Sequence, residues 1–181
     1  MKDFRGRQRG QGVAEFAIAA PIALVLLVGI IEAGLLMFGV GTASFAVGES
    51  ARVGAEAGNA NDADSQIINA IRNTALGSET IVNVQEIDIQ HLIEDPTTGK
   101  LSVDSTGCGG GGCVNKYDNL GNPLLSPEPW PSTSRNVSNG SSDFLGISIK
   151  YLYRWKSGTL LSATPLQLTA TYDVRLEPQT Y

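Results

Sequence analysis

Residues 9–16 read Arg9-Gly10-Gln11-Gly12-Val13-Ala14-Glu15-Phe16, and from Phe16 to Ile31 no charged residue follows. Only Pro21 and Gly29 interrupt the aliphatic run. Glu32 closes it. Apolar residues resume from Ala33 to Val40 and thin out by Gly48. Roughly 20 apolar residues span a bilayer core of ~30 Å, so the run is long enough for one crossing. Lys2, Arg5, Arg7 and Arg9 precede it, against a single acid, Asp3. By the positive-inside rule they hold residues 1–10 in the cytoplasm and send the body of the chain across the membrane.

The remaining composition narrows the function. The chain has 181 residues with 13 Lys+Arg and 18 Asp+Glu, a net charge of −5. Residues 1–10 carry +3, residues 11–57 carry −3 and residues 58–181 carry −5. A basic head on an acidic body without a basic stripe argues against a nucleic-acid partner. One histidine and two cysteines fall short of the usual zinc ligand count. No glycine-rich phosphate loop is present. With 42% apolar residues the chain is not of the disordered class. No nucleophile, base and orienting group combine into a catalytic set, so an enzyme is not expected, and no cofactor or metal with it.

Three readings of the N-terminus compete. A cleaved secretory signal has an apolar core of about 7–15 residues with a small-residue cleavage site close behind. This run is longer, and Thr42-Ala43-Ser44 lies too far along. A plain signal anchor is the second reading. The third starts from Glu15, a carboxylate at the edge of the hydrocarbon, where charge is costly. A cut after Gly10 makes Gln11 a new N-terminus and Glu15 the fifth residue of the mature chain. The new amine is then the natural partner of the Glu15 carboxylate, in the same chain or in a neighbour.

A basic leader ending in Gly10, then Glu15, the aromatic Phe16 and an apolar helix, resembles the type IV prepilin pattern. Glu15-Phe16, the short leader, Gly29-Ile30-Ile31-Glu32-Ala33-Gly34 and Ala51-Arg52-Val53-Gly54-Ala55 resemble the TadE-like minor pilins, or pseudopilins, of tight-adherence (Tad) pili. The family's terminal strand pair, ending in Arg-x-Glu, corresponds to Tyr151-Leu152-Tyr153 through Thr164-Pro165 to Arg175-Leu176-Glu177. The resemblance covers residues 9–57 and, more loosely, 144–177. It implies leader cleavage between Gly10 and Gln11, and assembly through Glu15 and Phe16. It implies as partners a prepilin peptidase, other pilins (major and minor), an inner-membrane assembly platform and membrane lipid. The alternative is a single-pass membrane-anchored extracytoplasmic binding module that keeps residues 1–10 and never enters a filament.

Glu15 and Glu32 stand 17 residues apart, about 25 Å of helix. They would bracket the hydrocarbon, which puts Glu32 at the outer interface; a buried contact between subunits is the other reading. Pro21 removes a helix hydrogen bond and allows a kink. The organisation expected is a leader 1–10, a transmembrane and assembly helix 11–57, and an extracytoplasmic α+β domain 58–181.

Within that domain, Asp62 or Asp64 caps a second helix to about Ala75, with Ile67, Ile68 and Ile71 on one face and Gly77-Ser78 at its end. Ile87, Ile89 and Ile93 alternate with polar residues, out of phase with Val82 and Val84, so a bulge is expected near Gln85. Asp95-Pro96-Thr97-Thr98-Gly99 is turn chemistry and Leu101 and Val103 begin a return strand. The clearest strands run through Leu145-to-Trp155 and Leu166-to-Leu176 with period two. One antiparallel sheet covered by helix is the fold expected. Residues 115–142, with Pro123, Pro127, Pro129 and Pro131, read as a long surface loop. Cys108 and Cys113 flank four glycines and should pair outside the cytoplasm; free or metal-bound thiols are the alternative. His91 lies on the apolar phase of its strand, which reads as a packed or edge histidine rather than a ligand or base. Asn136-Val137-Ser138 and Asn139-Gly140-Ser141 match glycosylation acceptors by pattern alone.

Overall fold

A computed structural model describes residues 8–74, 76, 82–109, 111–157 and 164–178. Residues 1–7, most of the segment expected to be a leader, and Gly77-Ser78 lie outside the described residues, as do the side chains of residues 8–11. The architecture is α+β: a long apolar helix, a short second helix and an antiparallel curled sheet.

Helix α1 (Gln8–Ala57) is one element of 50 residues and passes through Pro21 without a break. It ends where Gly58 adopts φ 55°, a left-handed conformation that costs glycine little, and the Gly58 N–H closes on the Gly54 carbonyl at 3.1 Å. Helix α2 (Ala63–Arg72) follows and buries Ala63, Asp64, Ile67, Ile68 and Ile71. It stops short of Ala75: the Asn73 N–H turns back to the Asn69 carbonyl.

The sheet contains β1 (Val82–Glu94), β2 (Leu101–Val103), β3 (Val114–Tyr117), β4 (Phe144–Tyr153) and β5 (Leu166–Arg175). Its order is β2-β1-β4-β5, with β3 also on β1, and all pairs are antiparallel. The register slips between Val84 and Glu86, at the phase break visible in the sequence. Ile87 then faces Ile149 and Ile89 faces Ile147 across the ladder. With Leu145, Tyr151 and Tyr153 these form the apolar face that meets α1 and α2.

Residues 115–142 are not one surface loop. Val114–Tyr117 forms strand β3, and Trp130, Ser132 and Arg135 are buried. The prolines forbid regular ladders in much of the segment, yet its polar groups find partners inside. The buried Asn115 amide donates to Asp64 Oδ2 (2.9 Å) and to the Trp130 carbonyl (2.7 Å), and its oxygen accepts the Trp130 N–H (2.9 Å).

Small residues let α1 lie close to the sheet. Gly39, Ala43, Ala46, Ser50, Ala51, Gly54 and Ala55 are all buried, at spacings of three, four and seven that define one helical stripe. At Gly54 an added Cβ would stand 2.6 Å from Leu145 Cδ2 and 2.9 Å from Ile67 Cδ1. Gly41, on the opposite side, has nothing within 4 Å of the same position. Gly54→Val should therefore destabilise the folded domain by about 1–3 kcal/mol through overpacking. Gly41→Ala should leave it unchanged or slightly more stable. Denaturant melts of the detergent-solubilised chain would check both.

Candidate functional site

Helix α1 has two unlike halves. Through Ile31 its large apolar side chains are exposed, among them Val13, Phe16, Ile18, Ile22, Leu24, Leu27 and Ile30. From Glu32 onward one face is covered by the sheet and α2. Among the described residues α1 is the helix long and apolar enough to cross a membrane. Gly10 and Gln11 lie in its first turns, Glu15 is exposed one turn on, and Phe16 beside it is 72% exposed. Among the described residues, none of the folded domain covers this end.

Glu32 marks the change between the halves. Its residue is 5% exposed, a carboxylate sealed at the foot of the folded domain. Oε1 accepts the Tyr153 hydroxyl at 2.7 Å and the Lys156 N–H at 2.8 Å, and Oε2 accepts the Ser157 N–H at 2.9 Å. A buried carboxylate with several donors is stable where an unpartnered one would not be. Strand β4 delivers these donors: Tyr153 is its last residue, and Lys156 and Ser157 follow in the turn. Trp155 meets the Tyr153 ring edge-on at 5.5 Å and donates its indole N–H to the Thr164 carbonyl. Burial and the adjoining carboxylate push the Tyr153 phenol up to about 12, which keeps it a donor. The sequence offered Glu32 an interface or a contact between subunits. The structure supplies its partners from the same chain, about 120 residues downstream. The only advance signal was the inward phase of Tyr153 on β4.

Two polar clusters brace the folded domain above this clamp. Asp64 on α2 accepts the Tyr117 hydroxyl at 2.7 Å and pairs with Arg135, whose guanidinium lies 4.5 Å over the Trp130 ring. On the outer sheet face, Glu86 Oε1 accepts Lys116 Nζ at 2.8 Å and Lys150 Nζ at 2.6 Å. Those two ammonium groups bring the Glu86 carboxyl down to about 2 from its ordinary 4.5. Asp88 beside it is pushed up by burial. None of this forms a catalytic set. Cys108 and Cys113 are joined as a disulfide, their Cα atoms 5.1 Å apart. His91 stacks on Trp130 at 4.9 Å between ring centroids.

The geometry is that of a helix bare at one end and clamped to a folded domain at the other. Residues 10–52 match the family model of TadE-like proteins. No curated protein and no solved structure matches the chain. The TadE-like segment covers the Gly10–Gln11 junction, the bare half of α1, Glu32 and most of the small-residue stripe. It stops before α2 and the sheet. The match leaves the contribution of the folded domain to be read from its own residues.

Two outcomes follow. Tyr153→Phe should destabilise the folded domain by about 1.5–3 kcal/mol, the worth of a hydrogen bond to a charged group. Paired with Glu32→Gln in a double-mutant cycle, the two effects should be strongly non-additive. Additive losses would mean that the contact does not couple the helix to the sheet. Separately, Glu86 titrates below its unfolded value. Its contribution is present above about pH 4.5 and is lost as the pH falls toward about 2. Glu86→Gln should remove that part of the acid-unfolding curve, measured by circular dichroism.

Proposed function

We propose that the chain is a minor pilin or pseudopilin of a Tad-type pilus, a structural subunit that contributes to assembly or adhesion. The observation that carries the reading is the coincidence of the TadE-like segment with a helix bare through Ile31 and held at Glu32. A subunit with this form can leave the lipid with its ectodomain already fixed to its helix. Residues 1–10 act as a leader, cut by a prepilin peptidase between Gly10 and Gln11. The protein lies in the inner membrane with its N-terminus cytoplasmic and its sheet outside.

Glu15 and Phe16 then work in assembly. A cut after Gly10 puts a cationic amine four residues before Glu15, about 6 Å of rise along one helix. A neighbouring helix offset along a bundle brings its amine nearer to that carboxylate. The exposed Met37, Phe38 and Phe45, on the side of α1 away from the sheet, offer apolar surface to other pilin helices and to the assembly platform.

Intact-mass analysis of the protein from its own host should find a membrane-bound chain beginning at Gln11. Retention of residues 1–10 would favour the membrane-anchored binding module. Glu15→Ala should permit insertion and cleavage, because it removes a group costly in lipid, yet abolish piliation. Normal piliation in that strain would refute the assembly role.

A further inference from the structure

Cys108 and Cys113 are separated by five positions and close a short loop beside strand β1. The groups around Cys113 are held in an unusual way. The His91 N–H donates to the Cys113 carbonyl at 2.9 Å, the Asp104 N–H to the His91 carbonyl at 3.0 Å, and the Cys113 N–H to the Asp104 carbonyl at 2.8 Å. Three main-chain hydrogen bonds thus tie His91, Asp104 and Cys113 into a closed ring that does not use the disulfide. One ligand atom from each lies within 4.8 Å of the other two.

Two of the three side chains, His91 and Asp104, already stand at a coordinating separation. Asp104 Oδ1 accepts the Thr106 and Gly107 N–H groups at 2.9 and 2.8 Å, which fixes the carboxylate and leaves Oδ2 facing His91 Nδ1 at 3.2 Å. That separation is close to the edge of a zinc tetrahedron, roughly 3.3 Å for bonds of about 2.0–2.1 Å to nitrogen and oxygen. The other ring nitrogen, Nε2, faces Asp143 Oδ1 at 3.5 Å. A carboxylate behind a histidine orients the ring and raises its basicity as a ligand. Trp130 stacks on the same ring and fixes its plane. Counting histidine and cysteine alone left the set one donor short; Asp104 supplies it.

We propose that the dithiol form of this chain binds one zinc-class divalent cation through Cys108, Cys113, His91 and Asp104, so that disulfide and metal are alternative locks on the same loop. Opening the disulfide takes two electrons and two protons. With a phosphine, phosphorus takes the oxygen of water to become the phosphine oxide, the S–S bond breaks, and the two protons of water end on the two sulfurs. With a dithiol, exchange leaves the reductant as its own disulfide. Cation binding then displaces one proton from each thiol, and the ion takes the place of the hydrogen bond between His91 and Asp104. Cys113 is fully buried and Cys108 is the more exposed of the two, so Cys108 is the sulfur an incoming thiolate reaches.

The test uses the full chain in detergent, reduced with a phosphine and titrated with Co²⁺, followed by competition with Zn²⁺. The reduced protein should take up one Co²⁺ with tetrahedral visible bands and thiolate charge-transfer absorption, all displaced by Zn²⁺. The oxidised protein should show neither. His91→Ala and Asp104→Asn should each weaken binding by at least tenfold, and Asp143→Asn by about 10–100-fold. Circular dichroism should show the sheet intact after reduction. The proposal falls if the reduced chain binds no Co²⁺, if oxidised and reduced protein bind alike, or if reduction unfolds the domain. It also falls if binding ignores His91→Ala and Asp104→Asn, which would make it the property of a bare cysteine pair.

Discussion

The buried carboxylate of Glu32 is the constraint on which the structure turns. An apolar helix has no reason of its own to stop being membrane-like at one position and become a core element at the next. Glu32 imposes that change: its charge must leave the hydrocarbon or find donors, and β4 brings three of them to it. Once Tyr153, Lys156 and Ser157 are fixed on the helix, the direction of β4 relative to α1 is fixed too. The rest of the sheet grows from β4, which pairs with β1 on one side and β5 on the other.

Above the clamp, close approach replaces charge. Glycine, alanine and serine along the covered stripe of α1 let the helix sink against Leu145 and Ile67. The far end is also tied down: the Glu177 N–H reaches the Ala55 carbonyl at 3.1 Å, so the tail of the sheet closes on the last turn of α1. The folded domain is therefore fastened at both ends of the covered half, while among the described residues the other half of the helix stays bare. The TadE-like match falls on the helix and stops before α2, the sheet and the cysteine loop.

Much of the fold was legible because its signals are local. An apolar run, a period of two in β4 and β5, the phase slip at Gln85 and the glycine after Ala57 each act over a few residues. The parts that were not legible depend on partners distant in sequence. Glu32 and Tyr153 are 121 positions apart, and Asp64 and Arg135 are 71 apart. Strand β3, Val114-Asn115-Lys116-Tyr117, carries no local strand signal because Asn115 sits where an apolar residue would normally mark the buried phase. Its burial depends on Asp64 and Trp130, which no window along the sequence contains. His91 is the packed residue its phase on β1 suggests, stacked on Trp130, but its place between Asp104 and Asp143 depends on segments distant in sequence that meet β1.

The account makes Glu32 the border between lipid-facing and protein-covered helix. The most direct measurement is a depth profile by spin labels placed singly along α1 in a lipid bilayer, with the disulfide intact. Labels at Ile18, Ile22, Val25 and Ile30 should report hydrocarbon, and labels at Met37 and Phe45 should report headgroup or water, with the crossing at Glu32. A profile that stays in hydrocarbon through Phe45, leaving Glu32 at mid-bilayer, would contradict it.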